Sequence, residues 1–282
     1  MAIPKIIHQF FAIGWDAVPS EAKDAIRVMR KNNPSWDYRF YDANAVEKFI
    51  AERCGPHMLE IYRSIDPVYA AARADLFRYL VCYEEGGLYL DIKSTAQKPL
   101  DEVFGPDDRF VLSQWKLKSK TKSGDKTHPE LAGIRGGEYV QWFLACEARH
   151  PYLKKVVEAV LNNIQSYRPL RDGVGRKAVL RLTGPIAYSL AIDGILKEHP
   201  HAFRNYWNDL NFVYSIYGDI KTHRKKFESH YSHQIRPIIR TNTVETVMCM
   251  ALFGPRSKAR SWVSEKRQGV IAFVESMVPG TR

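Results

Sequence analysis

The chain has 282 residues, 45% of them apolar and 26% charged, a balance that suits a folded globular protein and excludes a disordered or low-complexity one. Lys and Arg number 42 against 31 Asp and Glu, a net charge of +11, which fits anionic partners: nucleic acid, a membrane surface or a phosphorylated small molecule. Four cysteines stand far apart with no CxxC pair, so they are expected to be reduced core residues, Cys82 and Cys146 within buried helices. No apolar run reaches the roughly 20 residues that span a bilayer, and the opening Met1-Ala2-Ile3-Pro4-Lys5 has no signal-peptide pattern, so a cytoplasmic location is expected.

In chain order, Ile3 to Phe11 reads as a buried strand, and Ser20 begins a helix carrying Ala22, Ile26 and Met29. Trp36 to Tyr41 is a second strand, and Asp42 caps a helix with Val46, Phe49 and Ile50 on its apolar side. Strand, helix, strand, helix is the signature of an α/β fold with a largely parallel sheet. Pro67 to Glu85 reads as a helix buried on most sides, ended by Gly86-Gly87 in a left-handed cap. Leu88-Tyr89-Leu90 is a short strand with Asp91 at its carboxyl end, where open α/β sheets bind ligands. Arg109 to Trp115 is a strand, followed by a lysine-rich exposed loop to Pro129. Glu138 to Arg149 and Tyr152 to Tyr167 read as helices. Thr183-Gly184-Pro185 is a turn opening another helix through Leu190 and Leu196. Phe203 to Arg240 is aromatic and irregular, and Val244 to Phe253 and Trp262 to Val278 look helical. With no repeat or linker, a single domain is expected over 1–282, in two halves, 1–115 and 116–282.

Asp75 and Arg78 share one face of the 67–85 helix. A carboxylate and a guanidinium in so apolar a helix are costly unless paired or liganded. The plainer alternative is an i, i+3 ion pair. A ligand carrying phosphates and hydroxyls would use such groups: Arg78 as a bidentate partner for phosphate oxygens, Asp75 as an acceptor for hydroxyls, and Asp91 as a strand-end carboxylate for a divalent metal.

The stretch Ala71-Ala72-Arg73-Ala74-Asp75-Leu76-Phe77-Arg78-Tyr79, followed by Gly86-Gly87-Leu88-Tyr89-Leu90-Asp91, resembles glycosyltransferase family 32 and related sugar-transferring enzymes. Ile3-Pro4-Lys5-Ile6-Ile7-His8-Gln9, Asn33-Pro34, Tyr38 to Asp42 and Thr183-Gly184-Pro185 resemble further elements in the same order. The likeness is close over roughly the first hundred residues. It implies a GT-A-like, Rossmann-type α/β fold and a hexosyltransferase. The implied reaction moves a sugar, with retention, from a UDP- or GDP-sugar to a hydroxyl of a glycan or lipid-linked glycan. Surface polysaccharide or glycoconjugate synthesis is the implied setting, with no nucleic acid involved. It implies catalytic roles for Asp75, Arg78 and Asp91, and donor contacts from His8, Gln9, Tyr89 and Lys93. It also implies Mn²⁺ or Mg²⁺ held by Asp91, with His230 and His233 as further ligands.

One position departs from the pattern. Two residues after Asp91 the family carries a second acid, and this chain has Lys93. An ammonium repels a divalent metal, so three readings stand open: a metal held by Asp91 and distant ligands, Lys93 in the metal's place, or a sugar-nucleotide-binding protein without turnover. The net charge leaves a nucleic-acid-binding protein as another alternative, and a basic surface able to hold the chain against the anionic inner face of a membrane, while the basic runs Lys116 to Lys126 and Lys221 to Lys226 read as solvated loops.

Overall fold

The computed structural model describes residues 3–115, 128–218 and 234–253. It begins with β1 (Ile6–Phe10), α1 (Ser20–Asn32), β2 (Asp37–Tyr41), α2 (Ala43–Arg53) and α3 (Pro56–Ser64). Next come α4 (Ala70–Glu85), β3 (Gly87–Leu90), β4 (Thr95–Ala96), α5 (Leu100–Val103), β5 (Phe110–Leu112) and β6 (Phe143–Cys146). The chain continues through α6 (Pro151–Ser166), α7 (Pro169–Asp172), α8 (Gly175–Leu182), α9 (Pro185–Asp193), β7 (Ala202–Phe203), β8 (Phe212–Val213) and α10 (Thr243–Phe253).

The main sheet has the order β2-β1-β3-β6-β5-β7. β1 is parallel to β2 and β3, and β5 is parallel to β7, while β6 runs antiparallel to both its neighbours. The result is the expected mostly parallel sheet flanked by helices, with one reversed strand near its middle. Side-chain alternation divides the two faces. Tyr89, Leu144 and Cys146 join α2, α4, α6, α8 and α9 in the larger core, which includes Leu76, Leu80, Val156, Ile192 and Tyr188. Leu88, Leu90, Phe143 and Ala145 point to the opposite layer, with Met29, Trp36, Leu100 and Phe212. None of the described helices is long and apolar enough to cross a membrane.

Several expectations need correction. Glu138 to Arg149 is not a helix: it runs in extended form into β6, and Cys146 is a strand residue paired with Gly87 and Phe110. The short apolar run Trp142 to Cys146 fits helix and strand equally by pattern. Slots on both sides, between β3 and β5, decide for the strand. Gly86 does not form a left-handed cap either. Its φ of 68° and ψ of −157° are positive-φ but extended, a conformation nearly confined to glycine. Pro19 rather than Ser20 occupies the N-cap of α1, whereas Asp42 caps α2 as expected by accepting from the Ala45 N–H at 2.8 Å. Helix α3 was not expected. All four cysteines are free thiols. The lysine-rich loop, the second basic run, His230, His233 and the Trp262 to Val278 helix lie outside the described residues.

His8 sits on β1 with no exposed surface, its Nδ1 3.1 Å from the Tyr41 hydroxyl and its Nε2 3.0 Å from the Gly86 carbonyl oxygen. Burial pushes its imidazole down from 6.5 to about 4. The unfolded chain therefore binds this proton first as pH falls. Stability from the neutral, buried ring is complete above 6.5 and is lost progressively toward pH 4. His150 moves in the same direction for the same cause, and Asp75, raised to about 6 by burial, moves oppositely. Comparing wild type with His8→Gln isolates the first group. Its stability advantage over the variant is expected to shrink by up to about 3 kcal/mol between pH 6.5 and 4, read from urea melts. An advantage that stays constant across that window would contradict this assignment.

Candidate functional site

The site grows from the junction of α4 and β3. Helix α4 is apolar on nearly all sides, yet buries Asp75 and Arg78 one turn apart. Gly86 and Gly87 let the chain reverse tightly into β3, so that Asp91 emerges at the carboxyl end of the strand beside that turn of the helix.

Four charged groups form a chain there. Arg78 Nη2 lies 3.2 Å from Asp75 Oδ1 and 3.2 Å from Asp91 Oδ1. Lys93 Nζ donates to Asp91 Oδ2 at 2.8 Å. The side chains of Asp75 and Arg78 are each 6% exposed, those of Lys93 and Asp91 13% and 16%, so the latter two are the more exposed members of a mostly buried row. Two carboxylates and two cations balance, which is how a mostly buried charge row is sustained.

The surrounding groups fix each member. Thr183 Oγ1 donates to Asp75 Oδ2 at 3.0 Å, and Gln141 Nε2 donates to Asp75 Oδ1 at 3.2 Å. Arg78 also donates to the Gln141 carbonyl oxygen at 2.6 Å, with its guanidinium 5.0 Å from the Tyr89 ring centre. Tyr89 is thus a floor beneath Arg78, 1% exposed. The 91–94 turn is clamped from two sides. Gln9 Nε2 donates to the Asp91 carbonyl oxygen at 3.2 Å while the Tyr38 hydroxyl donates to Gln9 Oε1 at 3.0 Å. On the other side, Ile216 N–H donates to the Lys93 carbonyl oxygen at 2.9 Å, and Lys93 Nζ lies 4.7 Å from the Tyr214 ring centre.

Charge states follow from these contacts. Burial raises the Asp75 carboxyl to about 6, despite Arg78 and Thr183 pulling it down. For Arg78, burial lowers its affinity for the proton, but Asp91, Tyr89 and Asp75 together outweigh it and hold the guanidinium firmly charged. Lys93 is treated alike: burial lowers it, and Asp91 and Tyr214 more than restore it.

The structure therefore brings Asp75, Arg78, Asp91, Lys93 and Tyr89 together, and places Gln9 behind the Asp91 backbone. His8 is one residue further back in β1, enclosed by protein groups. Gln141 and Tyr214 were not legible as site residues, and Thr183 was noted only as part of a recurring tripeptide. They arrive by antiparallel pairing and long-range packing, for which the chain carries no local signal. A separate cavity of about 470 Å³, lined by Arg27, Arg30, Lys31, Trp36 and Tyr38 among others, includes none of the four charged residues.

A family model described as the glycosyltransferase sugar-binding region containing the DXD motif matches residues 19–111, which hold α4, β3 and Asp91. That stretch is similar to the sugar-binding region of the DXD glycosyltransferases. An uncharacterized glycosyltransferase of Acanthamoeba polyphaga mimivirus is 32% identical over 117 residues, 42% of this chain and 45% of that protein. The initiation-specific α-1,6-mannosyltransferase of Candida albicans is 26% identical over 232 residues, 72% of this chain and 56% of that protein. The chain thus spans about half the length of these relatives. Among solved structures, the UDP-bound glycosyltransferase domain from the YGT toxin superposes with a TM-score of 0.49 at 9% identity, covering 86% of this chain and 88% of that one.

Proposed function

We propose that the protein is a hexosyltransferase that moves a sugar from a UDP- or GDP-sugar to a hydroxyl of a glycan or glycolipid. The observation that carries this reading is the row Asp75–Arg78–Asp91–Lys93 at the carboxyl end of β3, inside the region that matches the DXD family. Two cations whose charge is secured by neighbouring carboxylates suit a leaving group whose negative charge grows as the glycosidic bond breaks. The mannosyltransferase named above favours a mannose donor as the first to try.

In the proposed step the bond between the sugar anomeric carbon and the diphosphate oxygen breaks, and its electron pair stays on that oxygen. The acceptor oxygen forms the new bond on the same face of the sugar, and its proton passes to the departing phosphate. Configuration is retained without a covalent enzyme intermediate. Asp75 and Asp91 hold the two cations in place. A glycosidase would instead need an acid and a nucleophile or base flanking the bond. Surface polysaccharide or glycoconjugate synthesis at the inner membrane face is the proposed setting.

The test is consumption of a panel of UDP- and GDP-sugars with sugar and glycolipid acceptors, followed as released nucleoside diphosphate and product mass, with and without Mn²⁺. One donor is expected to be consumed, and Asp91→Asn is expected to slow that turnover by about 100-fold or more. A donor that is bound but never consumed would instead favour a sugar-nucleotide-binding role. Unchanged turnover in the variant would contradict the site.

A further inference from the structure

The family pattern implies a divalent metal at the position of Asp91, and the residues around Asp91 do not suit one. Such hard cations take about six oxygen ligands. Here both Asp91 oxygens already face cations, Arg78 Nη2 at 3.2 Å and Lys93 Nζ at 2.8 Å. The other carboxylate in the row, Asp75, is taken up by Arg78, Thr183 and Gln141. Among the described residues no group of three or more His, Cys, Asp or Glu side chains gathers to hold a metal. An incoming divalent ion would meet two fixed positive charges before it met an unengaged carboxylate.

We propose that Lys93 stands in the metal's place and binds the donor diphosphate directly, so that donor binding by this protein is independent of divalent metal. This rests on the donor-site reading above and names the group that meets the phosphates. An ammonium has three N–H donors, and one is given to Asp91 Oδ2. The others have capacity for phosphate oxygens on the side of the row where Lys93 and Asp91 are its more exposed members. Asp91 becomes a positioning residue: it keeps the ammonium charged and aimed rather than ligating an ion. Tyr214, with its ring centre 4.7 Å from Nζ, and the Ile216 N–H to Lys93 carbonyl bond at 2.9 Å restrict where the side chain can go. A point charge on a flexible stem suits phosphate in several geometries. Lys93 stays protonated throughout. It donates hydrogen bonds to the diphosphate, and the electron pair of the broken glycosidic bond remains on the phosphate oxygen.

The experiment is calorimetric titration of the full chain with UDP and with GDP, in EDTA and in Mn²⁺, for wild type, Lys93→Met, Lys93→Arg and Lys93→Asp. Thermal melts of each variant accompany it. Wild type is expected to bind one nucleotide with the same Kd, within about twofold, in both buffers. Lys93→Met should weaken that Kd by about tenfold or more and Lys93→Arg should retain most of it. Lys93→Asp should lose binding in EDTA and regain it with Mn²⁺, accompanied by loss of the free Mn²⁺ spectrum on titration with protein. Wild-type binding that requires Mn²⁺ would overturn the role of Lys93 while leaving the donor site standing. That comparison needs no variant to fold. A folded Lys93→Met that binds as well as wild type in EDTA would overturn it too. No binding of either nucleotide in either buffer would overturn both readings together.

Discussion

Arg78→Met is expected to lower the unfolding free energy by about 3–5 kcal/mol, the cost of removing one member of a buried ion network and leaving its partners uncompensated. Arg78 is the shared counter-ion of Asp75 and Asp91, and it also donates to the Gln141 carbonyl oxygen. Without it Asp75, already raised to about 6 by burial, would hold its proton more tightly still. For a domain of this size that loss corresponds to a melting-temperature drop of roughly 6–20 °C. Methionine fills much of the arginine's apolar volume, so the effect reads charge rather than a cavity. The double variant Asp75→Asn/Arg78→Met should recover part of the loss, because it removes a buried charge together with its partner. A single variant within about 1 kcal/mol of wild type would show that Arg78 is not the keystone of the row.

The second large effect concerns backbone rather than charge. Gly87 opens β3 with φ +91°, and a Cβ there would lie 2.6 Å from the Ile6 carbonyl oxygen and 3.1 Å from Ile6 Cβ. Both neighbours belong to the strand β1 that pairs with β3, so neither can give way without separating the two. Gly87→Ala is therefore expected to cost more than about 3 kcal/mol, since the positive-φ strain adds to a backbone clash. Asp91 stands at the far end of the same four-residue strand, so donor binding should fall with stability. Gly55→Ala is the matched control. Its φ of +88° carries the same strain, but a Cβ there meets nothing within 4 Å, and a loss of only about 1–2 kcal/mol is expected. Equal losses at the two positions, measured by urea unfolding, would remove the close approach of β1 and β3 from the explanation.

These two positions also mark what a reader of the sequence can and cannot recover. The run from Ala71 to Asp91 was legible because its signals are local: helical spacing of apolar residues, two buried charges one turn apart, a glycine pair, and an acid just past a short strand. The pairing of Asp75 with Arg78 was legible as an ordinary i, i+3 contact, yet its extension to Asp91 and Lys93 depends on how α4 is laid beside β3. Gln141 was hidden because its segment read as a helix. Only the reversed strand β6 carries its side chain to Asp75 and its carbonyl to Arg78. Thr183 lies 108 positions from Asp75, and no periodicity links them. For His8, the resemblance of the first strand suggested a donor contact, while its enclosure between Tyr41 and Gly86 follows from the pleat and from the tight turn after α4.

Asp91 and Lys93 together concentrate the functional argument. The carboxylate that the family resemblance offers to a metal is here paired with two cations. On the proposed reading, a lysine at this position changes which group meets the phosphates without changing the scaffold that presents them.

The most direct test is a crystal structure of the full chain grown with UDP or GDP, whichever binds. The diphosphate is predicted at the carboxyl end of β3, with phosphate oxygens within hydrogen-bonding distance of Lys93 Nζ and the row from Asp75 to Asp91 behind it. A nucleotide seated elsewhere, for example in the basic cavity lined by Arg27, Arg30 and Lys31, would contradict the account at its centre.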